Sequence, residues 1–319
     1  MISKEHKIFG AVYYTFFANG FTALITSIIM PFLIEEYQIG YDVAGLLLSV
    51  MSTGTLAATF LSSFLAYRYG LKLCIVLLSA CVGFGYLGFI LFSSVPALIA
   101  FSLLIGITRG SISNINNYIV NNKSYGTPKY LNILHTFYAM GAFLSPLVMS
   151  LLLGVTDSWK RSVALTLAVS VSLPIVYGMI PISTYKTDIS KKKAEGTVGI
   201  SSVFIVSCIF LFLYVGAENA MNGWLVTYLK KNALLSQAFS GILLSVMWLV
   251  MMCGRILCAK LSDYVSKEHL VQICSIGASA VFLLFLLTKS NILLAAAVVL
   301  TGLFLAPLYP SLISLCGNY

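Results

Sequence analysis

Charge is what this sequence lacks. Asp, Glu, Lys and Arg make up 9% of its 319 residues, against 59% hydrophobic residues. A soluble domain carries roughly 25% charged and 45–50% apolar residues, so a soluble globular protein is excluded. Disorder is excluded too, because it needs high charge and low hydrophobicity. Acidic groups are the scarcer sign, 10 against 19 Lys and Arg, for a net charge of +9. The basic surplus sits in short loops, where it reports membrane orientation and not nucleic-acid binding. The seven cysteines, Cys74, Cys81, Cys208, Cys253, Cys258, Cys274 and Cys316, all fall in apolar stretches, and none forms a CxxC pair. They read as small buried hydrophobes, not as a zinc site or disulfide framework. A nucleotide-binding glycine loop, a metal-ligand cluster and a nucleophile–base pair are also missing, so the sequence gives no ground for an enzyme, a cofactor or a metal.

What the chain has is long apolar runs. A bilayer-spanning helix needs about 20 of them in a row, and strands of that length do not span. The pattern predicts an all-α membrane protein of ten spans, at 8–34, 44–67, 71–92, 96–120, 131–154, 161–182, 201–229, 238–260, 269–288 and 291–315. The first run follows Lys4 and Lys7, is too long for a signal peptide, and counts as span 1. The polar stretch 184–200, with Lys186, Lys191, Lys192 and Lys193, divides the chain into halves 1–183 and 201–319. With the N-terminus inside, twelve basic residues fall in inner loops and five in outer ones (Lys160, Arg161, Lys230, Lys231, Lys289). The expectation is a multi-pass protein of the cell membrane with a cytoplasmic N-terminus.

An internal repeat bears on the architecture. Ala44–Gly70 aligns without gaps to Ser240–Ser266, 196 residues later, with 8 of 27 positions identical, including Gly45/Gly241, Ser49/Ser245, Val50/Val246 and Met51/Met247. These segments are spans 2 and 8, so the repeat unit is six helices. A ten-helix drug/metabolite transporter repeats every five helices, and the offset argues against it. The loop after span 2 reads Leu65-Ala66-Tyr67-Arg68-Tyr69-Gly70-Leu71-Lys72, and the loop after span 8 carries Asp263.

Two six-helix halves and this loop resemble the major facilitator superfamily, over the whole chain. Its loop signature keeps an acid where this chain has Tyr67, and the second copy supplies Asp263. The resemblance implies a conformational latch built from Arg68, Lys72, Arg255 and Asp263. A plainer reading makes Arg68 and Lys72 positive-inside anchors. Three patches resemble the fucose permease-like branch: Tyr214-Val215-Gly216-Ala217-Glu218 with Trp224 and Tyr228; 132–142 with His135, Gly141 and Pro146; and Ala306-Pro307 with Tyr309-Pro310. The acids that this branch carries in helices 1 and 4 are replaced here by Ser27 and Ser113. A superfamily member has twelve helices, so the expectation is a six-helix N-half and a four-helix C-half, a C-terminally truncated chain.

The resemblance implies that spans 1, 4, 7 and 10 line a central cavity. Ionisable residues inside a bilayer are costly and are functional candidates by default. They are Arg109, Glu218 and Arg255. Arg109, Ser113 and Asn116/Asn117 share one face of span 4, and Glu218 and Asn222 share one face of span 7, with Asn219 beside them. The functional reading gives solute hydroxyls to Asn116, Asn117, Asn219 and Asn222, ring stacking to Trp224, Tyr14 or Phe17, and proton coupling to Glu218 and Arg109. The competing reading makes Arg109–Glu218 an ion pair, or makes these groups helix-packing contacts. Arg255 snorkels at the inner end of span 8 or joins the latch. The chain is expected to be a monomeric secondary active transporter that moves a small polar solute, with a sugar as the first choice, by alternating access coupled to H+. The alternatives are an exporter of drugs or metabolites with the same fold, or a truncated remnant without transport.

Overall fold

Backbone N–H and C=O groups find no water in hydrocarbon, so each span must satisfy its own hydrogen bonds as a helix. The computed structural model describes residues 4–124, 128–182, 202–261 and 264–316. Among these residues every regular element is a helix, and ten stretches are long and apolar enough to cross a membrane. Span 1 is made of α1 (Lys4–Ala23) and α2 (Ile25–Glu36). Spans 2 to 6 are α3 (Tyr41–Tyr69), α4 (Leu71–Leu91), α5 (Val95–Lys123), α6 (Pro128–Thr156) and α7 (Trp159–Met179). Spans 7 to 9 are α8 (Ser202–Lys231), α9 (Gln237–Leu261) and α10 (Lys267–Leu287). Span 10 is divided into α11 (Asn291–Leu305) and α12 (Leu308–Cys316). Pro307 lies at that break, where it lacks an N–H to donate and its ring crowds the carbonyl four residues back.

The chain divides into two compact units, Met1–Lys191 and Lys192–Tyr319. The polar stretch 184–200 lies outside the described residues. In the first unit α1 packs on α6, α3 on α5, and α4 on both α5 and α7. In the second, α9 packs on α11, α10 on α11, and α8 on α9 and α12. The outward faces stay apolar, as at Phe60, Phe64, Phe212 and Leu287, which suits contact with lipid tails.

The 196-residue offset runs through the backbone. Helices α3, α4 and α5 open at Tyr41, Leu71 and Val95; α9, α10 and α11 open at Gln237, Lys267 and Asn291, each 196 residues later. The turn before α3 carries Gln38 at φ 52°, and the turn before α9 carries Leu234 at φ 53°, again 196 apart. Side chains outside Gly rarely adopt this left-handed conformation, so its recurrence marks one loop design used twice. A close helix contact recurs as well. A Cβ on Gly106 of α5 would collide with the carbonyl oxygen of Met51 in α3, and one on Gly302 of α11 would collide with that of Met247 in α9. Both members of the pair shift by 196. Small residues at these crossings let the backbones approach, which is the main source of helix affinity in lipid. In this way spans 2–4 are repeated as spans 8–10.

Candidate functional site

In the second unit, α8 and α9 bring two charges together. Arg255 Nη2 lies 3.9 Å from Glu218 Oε1, and the side chains are 24% and 16% exposed. Each comes from a different span, so the ion pair links spans 7 and 8. Tyr214, one turn before Glu218 on α8, is buried, and its hydroxyl makes no hydrogen bond. Arg255 Nε is likewise buried without a hydrogen bond, while Nη2 reaches Met251 Sδ at 3.5 Å. Tyr309 of α12 packs against Tyr214 with ring centroids 6.1 Å apart. Sequence reasoning placed Arg255 at the latch or at the membrane edge. The structure places its guanidinium beside Glu218.

One turn further along α8, Asn222 Oδ1 accepts a hydrogen bond of 3.0 Å from Trp248 Nε1 of α9. This joins spans 7 and 8 a second time and engages one end of the Asn222 amide. Asn219 is exposed and donates to Val215 O of its own helix at 2.9 Å. Trp224 is half-buried on α8.

In the first unit, the polar face of α5 separates into different environments. Asn116 is fully buried. Its Nδ2 donates to Val12 O at 3.2 Å and to Thr15 Oγ1 at 3.0 Å, and its Oδ1 accepts from Tyr177 OH at 2.8 Å. The amide read as a solute contact is engaged in joining α5 to α1 and α7. Asn117 and Ser113 are half-buried, and Ser27 is buried in α2. Arg109 is half-buried, and its backbone carbonyl accepts from Asn19 Nδ2 at 3.5 Å. Among the described residues its guanidinium makes no ion pair within 4.0 Å. Tyr14, offered for stacking, donates or accepts in a 2.6 Å hydrogen bond with Ser172 Oγ.

The latch candidates are less connected. Arg68 is exposed, 5.6 Å from the ring of its neighbour Tyr69. Lys72 is half-buried at the start of α4. Gly70 between them sits at φ 94°, a conformation that favours glycine and explains its place in the turn. Asp263 lies outside the described residues.

Tyr214, Trp248, Thr15 and Tyr177 are the participants that sequence reasoning left without a role. For Tyr214 a signal existed: its i, i+4 spacing from Glu218 puts both on one helix face. The partners of Asn116 and Asn222 lie in other spans and carry no local signature.

Solved structures share this arrangement. A nucleoside transporter, NupG, superposes with a TM-score of 0.75 at 12% identity, over 99% of this chain and 88% of that one. A bacterial homologue of the human lysosomal transporter Spinster gives 0.74 at 12% identity, over 98% and 74%. The E. coli fucose:proton symporter FucP gives 0.65 at 18% identity, over 98% and 84%. At these identities the likeness establishes the fold alone. No curated protein matches the sequence significantly. The sequence profile of the Major Facilitator Superfamily matches residues 12–319, and with the spans and repeat in place the chain belongs to that superfamily of membrane transporters.

Proposed function

We propose that the chain is a proton-coupled transporter of a small, sugar-like polar solute, working as a monomer by alternating access in the cell membrane, with a cytoplasmic N-terminus. The observation that carries this reading is the Glu218–Arg255 pair, held 3.9 Å apart inside two spans. Ionisable groups at membrane depth are costly and accompany proton and substrate paths. Glu218 takes the proton in this scheme. Arg109, inside span 4, is the second ionisable group assigned to the coupling path. Solute contacts fall to Asn117, Asn219 and Trp224, with the unengaged part of Asn222, since amides offer both donors and acceptors to hydroxyls. Asn116 is assigned to packing because its amide is already occupied. Arg68, Lys72 and Asp263 are assigned to a latch at the loops after spans 2 and 8. The similarity to a fucose:proton symporter and a nucleoside transporter supports a hydroxyl-bearing solute.

The test is uptake of a panel of radiolabelled small sugars, both neutral ones such as fucose and acidic ones, into proteoliposomes, with and without an imposed pH gradient. The expected result is gradient-driven accumulation in the wild type and only equilibration in Glu218→Gln. Full gradient-driven accumulation by Glu218→Gln would refute the coupling assignment.

A further inference from the structure

We infer that the solute taken up with the proton carries an anionic group, in the simplest case a carboxylate, and that Arg255 receives it. The inference rests on the proposed role of Glu218 as proton acceptor and names the substrate class of that site.

Three observations on one cluster lead here. The Glu218–Arg255 contact, at 3.9 Å, is longer than the roughly 2.7–2.9 Å of a charge-assisted hydrogen bond. Arg255 Nε is buried with no acceptor. The Tyr214 hydroxyl, on a side chain 5% exposed and one helical turn before Glu218, is buried without a hydrogen bond. The cluster holds more donor capacity than one carboxylate uses. Among the described residues, the charged groups beside Glu218 include Arg255 of α9, and Tyr309 of α12 packs on Tyr214 of α8.

Charge balance supplies the rest. When Glu218 takes a proton it becomes a neutral acid, and Arg255 keeps its own proton. A guanidinium inside the span would then stand uncompensated, which strongly opposes protonation. A neutral sugar does nothing to relieve this. A solute carboxylate does: it occupies the Arg255 fork, with the Tyr214 O–H as a further donor. Proton and anion therefore favour each other's binding, by the same factor in each direction. One H+ and one anionic charge move together, and the loaded site keeps the net charge of the empty one. After release of both, Glu218 is again a carboxylate and the ion pair re-forms.

The test uses the full chain purified in detergent, with formate as the minimal carboxylate and formamide as its neutral counterpart, at matched ionic strength. Affinity is read from the ligand-dependent rise in unfolding temperature, at about pH 5.5 and about pH 7.5, on either side of neutrality. Formate is expected to bind at least about tenfold more tightly at the lower pH, with formamide inert. Glu218→Gln, which mimics the protonated acid, should bind formate tightly at both pH values. Arg255→Gln should bind it at neither. The wild-type pH comparison stands even if a variant does not fold. Formate no better than formamide at the lower pH would overturn the anionic solute and leave proton coupling with a neutral solute standing. Formate binding in the wild type that does not change with pH would overturn the linkage and, with it, the proton role of Glu218.

Discussion

In the first unit, the meeting of α1, α5 and α7 is closed by Asn116, whose amide bonds to Val12, Thr15 and Tyr177. In the second, the position 196 residues later is Leu312, buried and apolar. The reverse holds at the ion pair. Glu218 and Arg255 correspond to Thr22 and Thr59, whose hydroxyls donate to carbonyls of their own helices at 3.1 and 3.0 Å. Span 4 is the single helix α5, whereas its counterpart, span 10, is interrupted between α11 and α12. One backbone plan thus carries two kinds of polar content. Saturated neutral hydrogen bonds have one arrangement and hold it. A loose ion pair has at least two protonation states, so it can respond to a proton. The difference teaches that the repeat specifies the helices and their small-residue crossings, while the substitutions on it give one half saturated neutral hydrogen bonds and the other a buried ion pair.

The largest expected effect removes the responsive element. With one proton moved per solute, a gradient of one pH unit supports about tenfold accumulation, the equivalent of 1.4 kcal/mol. Glu218→Gln should bring that ratio to about one, measured as steady-state internal solute in proteoliposomes. Asn116→Leu, if it folds, should leave the ratio at the wild-type value. A variant at Asn116 that loses coupling while keeping its fold would erase the functional distinction between the units.

The next effect tests what the units share. Gly106→Leu and Gly302→Leu each push a side chain into a backbone carbonyl, of Met51 or Met247. Overpacking of this kind costs about 1–3 kcal/mol, and the backbone cannot swing away as a side-chain tip would. Both variants should lose stability to a similar extent in thermal unfolding followed by size-exclusion chromatography. A large loss in one and none in the other would show that the structural repeat does not extend to energetics.

A smaller effect separates the hydrogen bonds. Asn116→Leu removes the acceptor of the Tyr177 hydroxyl, which is fully buried. Stranding such a group costs about 1–3 kcal/mol. Asn222→Leu removes the bond from Trp248, where a mean near 0.6 kcal/mol for interhelical bonds in membranes is the better guide, because Trp248 keeps other contacts. Chemical denaturation in detergent should rank Asn116→Leu below Asn222→Leu in stability. The reverse order would mean that the second unit is the one fixed by neutral hydrogen bonds.

Much of the fold was legible in the sequence, because apolar length alone dictates a spanning helix and short links leave little freedom at the ends. The 196-residue offset, seen in a 27-residue alignment, recurs in helix starts and in the Gly106/Gly302 contacts for a physical reason: a gapless stretch keeps every side chain at the same azimuth. The site was less legible. Asn116 and Asn117 are neighbours, turned about 100° apart on a helix, and the stripe alone could not tell which faced another helix. Arg255 meets Glu218 through the rotation of α9 against α8, a tertiary quantity with no local trace. Tyr214 stood one helical turn from Glu218, but its idle hydroxyl appears only when the surrounding helices are placed.

The smallest expected effect lies at the end of the first unit where spans 1 and 2, 3 and 4, and 5 and 6 are joined. Glu36 forms an ion pair with Lys160 and accepts a hydrogen bond from Trp159 Nε1. Lys160 also lies 5.4 Å from the Tyr37 ring, and Tyr37 OH donates to Phe89 O at 2.7 Å. Four connected groups invite the view that this clasp governs stability. The exposures argue otherwise: the Lys160 and Glu36 side chains are 36% and 42% exposed, so solvent screens the pair. Exposed pairs contribute about 0.2–1 kcal/mol. Lys160→Ala should therefore lower stability by about 0.5 kcal/mol, less in high salt. Glu36→Leu should cost more, about 1 kcal/mol, because it also takes the acceptor from Trp159, which is buried. Equal effects from the two variants would assign the clasp to charge. The expected inequality assigns it to the indole hydrogen bond, a neutral donor satisfied within the unit, as at Asn116 and unlike the charged cluster around Glu218.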